Sequence, residues 1–183
     1  MNTIQELYSV FMTATGKLAK AIHDNPAVSD SAKGLLQFEA QYYLLHCIGV
    51  MIRNTLKGDK QKDIGSGFVS MVVAFWGTRE DGSFDEALGN KYWQSFLIAD
   101  KYFDKAKKPV KDANGGMSNL EETSIGLFIY MALQILDHVP PELKNDVTNT
   151  MLARNAVRKF AFEDSIEWFK KVDSILGCYA IKL

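Results

Sequence analysis

From Tyr42 to Ile52 the chain reads Tyr-Tyr-Leu-Leu-His-Cys-Ile-Gly-Val-Met-Ile, with no Asp, Glu, Lys or Arg among these residues. The run sits inside a longer helical pattern. Leu35, Phe38, Tyr42, Leu45, Gly49, Ile52 and Leu56 alternate three and four residues apart, the spacing that lines one face of a helix. Because the remaining faces carry no formal charge either, the middle of this helix has no side suited to water. A helix that is apolar all round must be covered on all sides. Ile125 to Leu136 repeats the situation further along the chain. These two runs predict an all-α fold, an irregular bundle of six to seven helices with two central apolar helices wrapped by the others. A chain of 183 residues is long enough to bury such a core as a single domain, 1–183.

The predicted helices cover residues 3–22, 30–57, 84–107, 119–138, 141–160 and 163–177, the last two being candidates for one continuous helix. Capping-box spacings, in which a side chain and the backbone satisfy each other's orphan groups, occur at Thr3-x-x-Glu6, Ser83-x-x-Glu86 and Ser118-x-x-Glu121. Pro140-Pro141 separates two helices, since Pro ends one helix and fits the first turn of the next. Residues 107–116, rich in Lys, Gly and Pro, read as a loop. The segment 67–76 is ambiguous, because its valines suit a buried strand as well as a helix. Helix is preferred, for no second strand is available to pair with it and a lone strand is not stable. Leu88, Tyr92, Phe96, Ala99, Phe103 and Ala106 form an apolar stripe on the helix at 84–107. Phe162, Ile166, Phe169, Val172, Leu176 and Tyr179 do so at 163–177, and both leave a charged outer face.

Charge narrows the function classes. Lys and Arg total 21 against 22 Asp and Glu, so no net field draws the molecule to nucleic acid or to an anionic membrane. Only Arg53, Arg79, Arg154 and Arg158 supply guanidinium groups, the preferred contacts for phosphate and guanine. Nucleic acid is therefore not the expected partner. No uncharged run is long enough to span a bilayer, and the first residues lack the basic and apolar regions of a secretory signal. Cys47 and Cys178 make no disulfide framework. The expectation is a soluble, cytoplasmic protein.

Recognisable catalytic or metal-binding motifs are absent. His23, His46 and His138 lack the paired spacing of a metal site, and the Glu-x-x-His of di-iron bundles does not occur. The loops starting at Asp59 and Asp112 put Ile64 and Met117 where an EF-hand needs Gly. Gly65-Ser66-Gly67 lacks the Lys-Ser/Thr ending of a phosphate-binding loop and reads as a loop with a helix cap. Neither a cofactor nor a metal is called for.

Two sets of residues remain as candidates. Glu39, His46 and Arg53 lie seven residues apart on one stripe of the helix at 30–57, ~10.5 Å between neighbours, so each needs a partner from another helix. With Tyr42 and Tyr43 they could line a small-molecule or haem pocket between the helices at 30–57 and 119–138. Equally, His46 could be a structural histidine tied to a neighbouring helix, as buried polar groups normally are. The second set is a charge pair at the ends of the helix at 84–107. Glu80, Asp81, Asp85 and Glu86 make an acidic entrance, and Lys101, Lys105 and Lys108, with Lys107 and Lys111, make a basic exit. Helical scaffolds without a catalytic set carry function in surface shape and charge. The expected function is that of a non-catalytic protein-interaction module, an adaptor, inhibitor or immunity-type partner that binds another protein. Self-association into a homo-oligomer is compatible with the same surfaces.

Overall fold

The computed structural model describes residues 2–24, 30–114 and 165–181, and among them the regular structure is wholly helical. The helices are α1 (Thr3–His23), α2 (Asp30–Thr55), α3 (Gly58–Gly77), α4 (Glu86–Asn114) and α5 (Ser165–Ile181). The segments expected at 119–138 and 141–160, the second central helix and the cap at Ser118 lie outside the described residues. No described helix is long and apolar enough to cross a membrane.

Helix α2 is the centre of this arrangement, and it packs against all four other described helices. Every residue from Gln41 to Ile48 is buried, which is what a helix without a polar face requires. The surrounding helices each contribute a narrow seam. Leu7, Phe11, Ala14 and Leu18 come from α1. Phe96 and Ala99 come from α4, and Trp168, Val172 and Leu176 come from α5. Where α1 meets α3, the rings of Phe11 and Phe68 meet edge to face with centroids 5.9 Å apart.

Helix α3 begins nine residues before the expected 67–76, at Gly58. Its buried residues Ile64, Phe68, Val72 and Trp76 recur every fourth position, a helical seam that the valines between them disguise. Gly65-Ser66-Gly67 is therefore inside a helix rather than ahead of one. Gly67 is small for a packing reason, because a Cβ there would run into the end of the Ile4 side chain on α1. Helix α4 likewise continues past the expected loop at 107 to Asn114. Pro109 lacks the N–H of a normal helical residue, but the Lys and Ala around it favour helix.

Two caps are displaced from their predicted positions. Asn2, not Thr3, caps α1. Its side-chain oxygen accepts from the Ile4 N–H at 2.8 Å, and its own N–H donates to Gln5 Oε1 at 3.2 Å. This is a capping box shifted one residue toward the N-terminus. Helix α4 is capped by Asp85 in place of Ser83, through a 3.0 Å bond from the Leu88 N–H to Asp85 Oδ1. That displacement leaves Ser83 and Phe84 outside the helix.

Candidate functional site

The first candidate set is distributed by the twist of α2. Tyr42 turns toward α3 and α4, where its ring lies edge-on to Trp76 at 5.4 Å and 6.1 Å from Phe96. Phe38 and Tyr92 stack beside it with centroids 4.2 Å apart. Trp76 is tied to α2 by a buried bond of 2.6 Å from its indole N–H to Gln41 Oε1. This satisfies the indole N–H and the Gln41 carbonyl oxygen, polar atoms that would be costly to bury alone.

Tyr43 is also buried. Burial pushes the pKa of its hydroxyl well above the usual tyrosine value, and Cys47, one turn on, pushes it further. A neutral phenol is the form an apolar interior accepts.

His46 has its side chain wholly enclosed, with Nδ1 2.6 Å from Oδ1 of Asp100 on α4. Asp100 is the interhelical partner this histidine needs, and its side chain keeps a quarter of its surface in solvent. Toward an ionised carboxylate, which only accepts, Nδ1–H is the donor of this bond. The pairing fixes the ring as an orienting carboxylate does in an acid–base dyad. A dyad of that type also needs an imidazole edge that a substrate can reach, and the His46 ring presents none to solvent.

Arg53 is exposed at the end of α2, a little over one turn beyond the buried run. The side chain of Glu39 lies outside what the structure describes. Of the described members of the stripe, His46 is buried and Arg53 is exposed. Among the described residues no three His, Cys, Asp or Glu side chains converge there as a metal would need. The other wall of the expected ligand pocket, at 119–138, is not described.

The second candidate set is brought together in part. Glu80, Asp81, Asp85 and Glu86 all lie on or beside the turn from α3 to α4. Lys101 is exposed near the middle of α4, and Lys105 and Lys108 lie further along α4 where only the backbone is described.

The α3–α4 turn is built from a short ladder. Thr78 and Phe84 form an antiparallel bridge, the Arg79 N–H donates to Ser83 O at 2.8 Å, and the Asp85 N–H donates to Gly77 O at 2.7 Å. Gly82 closes the tip at φ +80° and bonds back to Arg79 O at 2.9 Å. Such a positive φ favours glycine, and Asp-Gly is a strong turn dipeptide. Asp81 Oδ1 accepts from both the backbone N–H and the hydroxyl of Ser83, at 2.9 and 2.6 Å. These bonds lower the Asp81 pKa, and those from Arg79 and from the Leu88 N–H lower that of Asp85.

Sequence reasoning picked out the acidic residues here and missed Phe84. The ring is 60% exposed, the largest exposure of any large apolar side chain among the described residues. One of its edges rests on Gly77, where a Cβ would come within 2.6 Å of Phe84 Cε2 and 2.8 Å of the Asp85 carbonyl oxygen. The rest faces an open groove of about 640 Å³, bounded by Arg79, Phe84, Glu86 and Asn90. The signal that could have found it was Asp81-Gly82, a hairpin-turn dipeptide whose returning arm, Ser83 and Phe84, pairs back before a helix can start. Comparison of the chain with protein-family models, curated proteins and solved structures finds no match.

Proposed function

We propose that the protein is a non-catalytic protein-interaction module, of the adaptor, inhibitor or immunity type, and that the α3–α4 turn is its contact face. The observation that carries this reading is Phe84: a large aromatic ring held in water by a turn whose backbone is already hydrogen-bonded. An aromatic side chain left exposed forgoes about 1.5–3 kcal/mol of burial. Association recovers that energy, and a pre-ordered turn loses little entropy in doing so. Aromatic anchors of this kind dominate the energetics of many interfaces. The buried polar groups of α2 support the same reading, for His46 and Gln41 each join α2 to a neighbouring helix.

Photo-crosslinking tests it. A benzophenone amino acid replacing Phe84 in the native cells should yield a discrete protein adduct, whereas the same replacement at the exposed Ser70 on α3 should not. Equal labelling at both positions, or none at either, would overturn the assignment of this face.

A further inference from the structure

We infer that the partner surface is basic: a protein segment carrying Lys or Arg beside an apolar residue, seated over Phe84. The inference rests on the proposed contact face and goes on to its chemistry. Between Arg79 and Asn90 the chain carries one cation and four carboxylates. The fold uses some of these charges internally. Arg79 is engaged by Asp85, and Asp81 is occupied in ordering Ser83. Glu80 and Glu86 are not used: both are exposed, and neither carboxylate has a hydrogen bond or ion pair to a described residue.

With Arg79 held by Asp85, and Lys91 the next cation along α4, a partner approaching Phe84 still meets more negative charge than positive. Like charge at a closing interface is costly, and opposite charge steers encounter and sets register. A basic side chain can add a further contact by lying over the open face of the Phe84 ring, where the quadrupole attracts a cation. The groove beside the ring, bounded by Glu86 and Asn90, is wide enough to receive an apolar side chain next to that cation. The same excess of negative charge repels a phosphate backbone or an anionic bilayer.

A displayed library of random peptides, selected on the full chain and counter-selected on its Phe84→Ser variant, reads the chemistry directly. Selected peptides should be rich in Lys and Arg next to Leu, Met or an aromatic residue. Their affinity should fall with salt, and by about tenfold or more in the Glu80→Lys, Glu86→Lys double variant. Melting curves of both variants should stay close to the parent, since the altered side chains are exposed. Peptides that need Phe84 but show no basic enrichment, or ignore the charge reversal, would overturn the inference and leave the contact face standing. If no peptide depends on Phe84, both fail. If sedimentation shows a dimer that Phe84→Ser dissolves, the occupant is a second copy of this chain and the proposal of a separate basic partner is wrong.

Discussion

The imidazole of His46 is enclosed, yet the Asp100 oxygen 2.6 Å from its Nδ1 belongs to a side chain that solvent still reaches. A pair placed this way ties α2 to α4 across the edge of the core. Replacing His46 with Gln should cost about 1–3 kcal/mol, because a buried bond is lost or lengthened and the Asp100 carboxylate keeps a poorer donor. Chemical denaturation reads that loss. Binding through Phe84, measured per folded molecule, should be unchanged, and a variant that melts like the parent but has lost binding would show that His46 acts in recognition.

Tyr43 makes a different residue-scale prediction. Its pKa is raised in the folded protein, so above the usual tyrosine range near pH 10 the unfolded chain loses this proton and the folded one keeps it. The stabilising effect is complete below that range and is lost as pH rises through it toward the folded value. In an alkaline titration, the last tyrosinate absorbance step should coincide with the loss of helical circular dichroism. Tyr43→Phe should move that unfolding to higher pH. A Tyr43 signal that titrates early, with the helices intact, would contradict its burial.

At the scale of the element, the helices meet where glycine permits it. Gly89 on α4 faces α3 so closely that a Cβ would lie 3.0 Å from the Val73 carbonyl oxygen and 3.5 Å from Gly77 Cα. Backbone cannot step aside as a side-chain end can. Gly89→Ala should therefore destabilise by about 1–2 kcal/mol, the overpacking cost exceeding the gain in helix propensity. Gly16 on α1 has nothing within 4 Å of the same added atom. Gly16→Ala should stabilise by about 0.5–1 kcal/mol, since only the unfolded chain loses freedom. Urea midpoints of the two variants should move in opposite directions. Movement in the same direction would mean that propensity rather than helix approach sets the effect.

For the whole molecule, the tryptophans report from separate helices: Trp76 on α3, Trp93 on α4 and Trp168 on α5. The Trp168 indole N–H reaches the Val10 carbonyl on α1 at 3.3 Å, so the C-terminal helix is tied to the first one. If α2 is the shared centre of one cooperative unit, variants keeping only Trp76 or only Trp168 should each show a fluorescence transition that coincides with their own loss of helicity. A Trp168 transition well ahead of the circular dichroism would mean that α5 detaches by itself.

By itself the sequence determined the helical class, the burial of 42–48 and the need of His46 for a partner on another helix, because these follow from periodicity and from the cost of wetting or isolating a side chain. It also placed the acidic cluster at the start of α4. Tertiary structure decided the rest. The glycines at 65 and 67 looked like a loop until the close approach of α1 at Ile4 gave Gly67 a packing role. Asp100 was one carboxylate among many until the packing of α2 on α4 brought it to His46. Phe84 falls inside the helix predicted at 84–107, since hydropathy records what a side chain prefers and not where the backbone holds it. The hydrogen bonds of the turn start α4 after Phe84, and that displacement puts its ring in water.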